Sequence, residues 1–259
     1  MKKIWLSSLV SSENAVKEVM SQLKTYGLEA HGHFWEDNLD KMAWIKPRGE
    51  LLDQKTVLWG ILGSEEDFQN PSFRYGLSLL AVTVQAARGS GFPIVLLQTN
   101  GELLSPDTLT TPLKGVDVLS ATGAAYGPKL VAKVHRTAGE EMPADYRLDL
   151  IGNEHLGQWF EVGPRDGEWS GGMFAVAGAE IVFQGVGPKG SLPEKSILNY
   201  PIEGMKLNLG EKEYTAWAVQ NELDPETSYF VKVKGFPESI LFGPYSSEED
   251  AEVSVVKLK

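Results

Sequence analysis

The sequence predicts an α/β protein in which an open parallel sheet is followed by a mainly antiparallel β half. Three observations predict this fold class. The stretch from Thr56 to Thr99 contains a strand-length apolar run, a helix and a second apolar run, and strands joined through a helix lie side by side only in parallel. The same alternation extends over the first 137 residues. Beyond Ala138, turn dipeptides separate runs rich in aromatic and β-branched residues, which is typical of antiparallel strands.

The first half is predicted to contain five strands alternating with helices. Ser11 or Ser12 is the candidate cap of the first helix, and the central helix has Asn70 as its cap and Gly89 just past its end. Gly63 to Asn70 is a predicted polar loop. The predicted strands are Lys3 to Leu9, Leu28 to Trp35, Val57 to Leu62, Ile94 to Leu97 and Val116 to Leu119. This alternation predicts a doubly wound, flavodoxin-like sheet with strand order 2-1-3-4-5.

The second half is predicted to be a β domain that ends in a helix. Its predicted strands are Gln158 to Val162, Met173 to Val176, Glu180 to Val186, Tyr214 to Val219 and Tyr229 to Val233. Ser246 to Leu258 has a serine cap, acids in its first turn and lysines at its end, which suits a helix and its dipole. The aromatic residues of these strands suit either a sugar or peptide platform or a core, and we favour the core. We therefore divide the chain into domains 1–137 and 138–259.

The composition of the chain argues against several classes of binding partner and excludes several kinds of functional site. The net charge of −11 argues against a nucleic-acid or anionic-membrane partner, which needs clustered basic residues. The absence of cysteine excludes disulfides, thiolate metal sites and a cysteine nucleophile. We read the apolar run Ile4 to Val10 as a strand rather than a signal segment. No run approaches the roughly 20 apolar residues of a membrane span. A cytoplasmic protein is expected.

Ligands in open parallel sheets collect at the carboxyl ends of the strands. The first such loop offers the hydroxyls of Ser7, Ser8, Ser11 and Ser12 beside a helix amino terminus, where a phosphate or carboxylate could dock. These serines suit helix capping and turns at least as well, and we favour that interpretation. The loop is neither a P-loop nor a glycine fingerprint, so no cofactor is expected. His31 and His33 share a strand face without an evident third ligand, so no metal site is predicted either.

The framework of the first 100 residues resembles TIR-like domains and the related nucleoside deoxyribosyltransferase-like fold. The similarity rests on short motifs: Lys3-Ile4-Trp5-Leu6-Ser7-Ser8, Gly27-Leu28-Glu29-Ala30, Val57 to Gly63, and Asn70-Pro71-Ser72-Phe73-Arg74-Tyr75-Gly76-Leu77. The resemblance implies a pocket for a nucleotide or nucleoside, and enzymes that split or transfer an N-glycosidic bond. It also implies a catalytic glutamate on the helix after the third strand.

Arg74 stands where the resemblance places that glutamate. An arginine repels the positive charge that develops as a glycosidic bond breaks. It suits binding of a phosphate or carboxylate, or a surface salt bridge. With Arg74, Ser64 and Glu65 are candidate ligand-binding residues. They precede it in an acidic stretch with Glu66 and Asp67, for which we favour a solvated loop.

The first choice of function is therefore a non-catalytic interaction or ligand-sensing protein. Its α/β half would bind a nucleotide-like molecule, a protein partner or another copy of itself. The alternative is an enzyme acting on an N-glycosidic bond of a nucleoside or of NAD, in which Glu65, Glu66 or Asp67 replaces the missing acid.

Overall fold

A computed structural model describes residues 1–123, 125–135, 144–245 and 252–259. The chain divides into two compact units, Met1–Met142 and Pro143–Lys259, which are treated separately below. The boundary predicted after residue 137 falls outside the described residues.

The first unit is built on a five-stranded parallel sheet. Its strands are β1 (Lys2–Ser8), β2 (Leu28–Phe34), β3 (Thr56–Gly63), β4 (Ile94–Gln98) and β5 (Asp117–Ser120). They are arranged in the order β2-β1-β3-β4-β5, and every neighbouring pair is parallel. The predicted fold class and strand order are thus confirmed.

Helices connect these strands. They are α1 (Glu13–Thr25), α2 (Arg48–Leu52), α3 (Glu65–Gln69), α4 (Pro71–Arg88) and α5 (Tyr126–His135), with 3-10 turns at Ala43–Ile45, Pro106–Thr108 and Thr111–Leu113. Ser12 caps α1 by accepting from the Ala15 N–H, and Asn70 caps α4 by accepting from the Ser72 N–H. Gly89 follows α4 with a φ of 86°, a left-handed conformation that favours glycine. The predicted caps of both helices and the predicted end of α4 are confirmed.

The stretch Gly63 to Asn70, predicted as a loop, contains the helix α3. The Ser64 hydroxyl accepts from the Asp67 N–H, and the Asp67 carboxylate accepts from the Ser64 N–H, which makes a capping box. Phe68 is only 3% exposed and anchors the turn. The run of acids is therefore the first turn of a helix, where negative charge is favourable.

The sheet of the first unit is covered on both faces. One face packs a cluster of aliphatic side chains against α1 and α5, including Ile4, Leu23, Leu97 and Leu130. On α4, all residues from Tyr75 to Val84 are buried. None of the described helices has the length and hydropathy needed to span a membrane.

The second unit consists of two antiparallel sheets. Its strands are β6 (Tyr146–Asn153), β7 (Gly157–Pro164), β8 (Gly172–Ala177), β9 (Glu180–Pro188), β10 (Ile202–Leu209), β11 (Lys212–Val219), β12 (Thr227–Lys234), β13 (Ser239–Pro244) and β14 (Ser254–Lys257). The sheets have the orders β10-β11-β8-β13-β14 and β6-β7-β12-β9. Phe160 of one sheet lies 5.2 Å from Phe174 of the other, between ring centroids, so the sheets share a core.

All five strands predicted for this unit are present, and β6, β10, β13 and β14 are additional. The predicted C-terminal helix is wrong for residues 254–257, because Ser254–Lys257 is a strand that pairs with β13. Val255 and Val256 pair with Leu241 and Ile240, where β-branched side chains pack well. Residues 246–251 of that prediction lie outside the described residues.

Candidate functional site

The carboxyl edge of the parallel sheet holds the predicted site residues. At the tip of β1, Ser7 and Ser8 are buried. The Ser7 hydroxyl accepts a hydrogen bond of 2.9 Å from the Trp59 indole N–H. The Ser8 hydroxyl donates to the Val10 carbonyl oxygen at 2.8 Å. Both hydroxyls thus stabilise the end of the strand.

The other two serines of this loop are exposed. Ser12 caps α1, as the favoured interpretation predicted. Ser11 makes no side-chain hydrogen bond within the described part of the chain, which leaves its hydroxyl available to solvent or a ligand.

Apolar side chains fill the switch point between β1 and β3, where strand order reverses. The Leu9 N–H donates to the Leu62 carbonyl oxygen, which extends the strand ladder past the tip of β1. A Cβ placed on Gly63 would lie 2.9 Å from Phe68 Cζ and 3.0 Å from Leu9 Cδ1. Leu9 and Phe68 therefore occupy the position in which ligands of doubly wound folds usually lie.

Glu65 lies on the other side of the β3 tip, against the connection from β4 to β5. Its Oε2 accepts from the Glu102 N–H at 2.9 Å, and its Oε1 accepts from the Gln69 side chain at 3.1 Å. Gly101 has a φ of 81°, and a Cβ on it would lie 2.3 Å from Glu65 Oε2. Glycine is thus required for the loop to approach the carboxylate so closely.

Arg74 lies in the first turns of α4, half-buried. Its Nη2 donates to the Thr108 carbonyl oxygen at 2.9 Å. Burial lowers the pKa of the guanidinium, because a charged group is less stable away from water. Among the described residues, no carboxylate forms an ion pair with it.

Glu65 and Arg74 both contact the connection between β4 and β5, at Glu102 and Thr108. The buried Gln98 side chain organises the start of this connection. It donates to the carbonyl oxygens of Asn100 and Glu102 and accepts from the Leu104 N–H. The structure thus brings Glu65 and Arg74 to one connection. Ser64 caps α3, and the serines that follow β1 or end it lie elsewhere on the edge.

A partly buried histidine, His33, lies beside this edge. His33 Nδ1 accepts from the Trp5 indole N–H at 3.2 Å, and its ring stacks on Trp5 with 5.8 Å between centroids. Burial lowers the pKa of His33 to about 4, so the ring is neutral at pH 7. His31, two residues earlier, is exposed and contacts Glu29. Within the described residues, no three His, Asp or Glu side chains are grouped to hold a metal ion.

Sequence reasoning missed Gln98 and the pairing of Asp37 with Ser72, whose hydroxyl donates to the Asp37 carboxylate. Gln98 ends an apolar run at a strand tip, and a polar residue at that position was the one local signal for it. The contact between Asp37 and Ser72 joins residues 35 positions apart and has no local signal.

Comparisons with known proteins add little to this picture. No family model matches the sequence, and no curated protein matches it. The chain is similar to an NAD kinase from Archaeoglobus fulgidus, whose crystal structure is a complex with ATP. The two chains are 9% identical, 91% of each is covered, and the TM-score is 0.30. A TM-score this low shows neither a shared fold nor a shared activity.

Proposed function

We propose that this protein is a non-catalytic ligand-sensing module whose α/β unit binds a nucleotide-like, phosphate-bearing molecule at the carboxyl edge of its sheet. One observation carries the proposal: the half-buried guanidinium of Arg74 lies at this edge and pairs with no carboxylate among the described residues. An arginine is the side chain best suited to grip a phosphate with two parallel hydrogen bonds.

The surroundings of Arg74 are electrostatically unfavourable for a cation. It occupies the amino-terminal part of the 18-residue helix α4, and helix amino termini carry partial positive charge. It has also lost part of its hydration, which lowers its pKa. A bound phosphate would offset both effects, since it would meet the guanidinium and the helix terminus together.

The polar side chains at the carboxyl edge of the sheet are hydrogen-bonded within the chain, and this supports a non-catalytic role. Ser7, Ser8, Ser12 and Ser64 make hydrogen bonds within the chain that fix strand tips and helix starts. Both carboxylate oxygens of Glu65 likewise accept from neighbouring groups. Groups held in this way suit a rigid recognition surface.

The test is binding of ADP, measured by calorimetry, with adenosine as the uncharged comparison. We expect ADP to bind, adenosine to bind at least tenfold more weakly, and Arg74→Gln to remove most of the difference. Arg165→Gln is the matched control, because Arg165 also donates to a main-chain carbonyl, that of Ala144, but lies in the second unit. Equal binding of ADP by wild type and Arg74→Gln would refute the proposed site.

One observation favours the enzymatic alternative. The helix that directly follows the third strand is α3, and it begins with Glu65. A carboxylate is therefore present on the first helix after the third strand, although the motif that carries the resemblance lies on α4 and has Arg74 at the glutamate position. Incubation with NAD and with nucleosides, followed by detection of the released base, tests this function. Release by wild type that is lost in Glu65→Gln would establish catalysis, and no release by either would support the sensing role.

A further inference from the structure

The four-stranded sheet of the second unit carries one row of large side chains on its outer face. Ile151 of β6 pairs with Trp159 of β7, Trp159 with Lys232 of β12, and Lys232 with Phe183 of β9. Neighbouring positions such as Phe160 are fully buried in the core, so the row faces away from it. Phe183 is 58% exposed. The sheet thus displays an apolar row with one cation in it.

The two aromatic rings lean toward each other, and the lysine ammonium lies over one of them. Trp159 and Phe183 lie two strands apart, which separates their main chains by about 10 Å. Their ring centroids are nevertheless 5.7 Å apart, with an angle of 66° between the planes. The Lys232 ammonium lies 5.8 Å from the Trp159 ring centroid. The rings are thus in edge-to-face contact, and the ammonium lies over the Trp159 ring beside them.

Within the part of the chain that the structure describes, no carboxylate lies within ion-pair distance of the Lys232 ammonium. The chain has 35 acidic against 24 basic residues, and lysines on other strands, such as Lys206 with Glu213, do form ion pairs. The Trp159 ring is fixed in place, because its indole N–H donates to the Leu156 carbonyl oxygen at 3.3 Å. An ordered Trp159 ring therefore lies next to a Lys232 ammonium that forms no ion pair with a described residue.

We propose that Trp159, Phe183 and Lys232 bind a small aromatic molecule that carries a carboxylate or phosphate. The ligand ring would stack on the exposed Phe183 ring, next to Trp159, in one of the favoured geometries of aromatic pairs. Its anionic group would pair with the Lys232 ammonium. A long polyanion does not fit, since the net charge of −11 repels it. This site lies in the second unit and does not depend on the function proposed for the first.

The probe is phenyl phosphate. Inorganic phosphate, which carries only the charge, and benzyl alcohol, which carries only the aromatic ring, are the comparison compounds. The readout is the set of indole N–H resonances in the NMR spectrum of the full chain, which has seven tryptophans. Trp159→Phe identifies the Trp159 resonance by its disappearance. We expect phenyl phosphate to shift that resonance with saturation, and each comparison compound to bind at least tenfold more weakly. Saturating shifts of other indoles, with Trp159 unmoved, would overturn the proposal.

Two variants test the roles of the partners. We expect Lys232→Met to weaken phenyl phosphate about tenfold and Phe183→Ala about three- to tenfold. Lys206→Met is the matched control, an exposed strand lysine that should leave affinity unchanged. Because the readout is the Trp159 resonance, it reports on this site and not on the one proposed in the first unit. Unchanged affinity in Lys232→Met, with a folded spectrum, would refute the site.

Discussion

His33 shows how one residue makes the first unit sensitive to pH. Its ring is partly buried against Trp5, and this burial lowers its pKa to about 4, well below the ordinary histidine value of 6.5. The unfolded chain therefore binds a proton that the folded chain excludes, and stability is lost as pH falls from about 6.5 toward 4. A shift of this size corresponds to at most about 3 kcal/mol, and partial exposure of the ring reduces this to about 2 kcal/mol.

We predict that His33→Gln flattens the pH dependence of the free energy of unfolding between pH 6.5 and pH 4 by about 2 kcal/mol. The glutamine oxygen can still accept from the Trp5 indole, so stability at pH 7 should change less. His31→Gln is the control, since His31 is exposed. Urea denaturation at several pH values measures the effect. Parallel pH profiles for wild type and His33→Gln would contradict the prediction.

At the scale of elements, the connection between β4 and β5 depends on two glycines in the left-handed region. Gly101 and Gly115 have φ values of 81° and 79°. A Cβ on Gly101 would lie 2.6 Å from Glu65 Cβ, whereas a Cβ on Gly115 would have no atom within 4 Å. An alanine at either position would therefore have the same unfavourable backbone conformation, but only the alanine at Gly101 would also clash with Glu65.

Alanine substitution separates these effects. Gly115→Ala should lower the free energy of unfolding by about 1 kcal/mol, the cost of a left-handed L-residue. Gly101→Ala should lower it by about 1 kcal/mol more, because α3 or the loop must shift. Urea denaturation of both variants tests the pair. Equal losses would mean that Glu65 does not hold the loop.

Elements were predictable where their signals are local. The caps and end glycine of α4 lie within its own sequence, and so does the strand-helix-strand alternation that predicts a parallel sheet. The helix α3 has a local signal too, the capping box of Ser64 and Asp67, but its acids were read as a solvated loop. β14 forms through pairing with β13, and no local pattern distinguishes it from the end of a helix.

The candidate site was less predictable than the fold, because its geometry depends on contacts between distant residues. Arg74 meets the main chain 34 residues away and Glu65 meets it 37 residues away. Sequence reasoning named both side chains as candidates from their types and positions. It had no means to group them around the β4–β5 connection, since loop paths are set by tertiary packing.

At the scale of the whole molecule, each unit has its own hydrophobic core. The first contains Leu97, which is fully buried in the cluster between the sheet and helices α1 and α5. The second contains Phe160, which is fully buried between the two antiparallel sheets. All described α-helices lie in the first unit. Ellipticity at 222 nm therefore reports mainly on that unit.

We predict that Leu97→Ala lowers the free energy of unfolding followed at 222 nm by about 3 kcal/mol, the usual cost of a cavity in a close-packed core. Leu103→Ala, at a position 52% exposed in the same unit, should change it by less than about 0.5 kcal/mol. Phe160→Ala creates a cavity of similar cost in the second core. We expect it to change the free energy of unfolding followed at 222 nm by less than about 0.5 kcal/mol, with each core unfolding as its own cooperative unit. If Phe160→Ala lowers that free energy as much as Leu97→Ala does, the two cores unfold together.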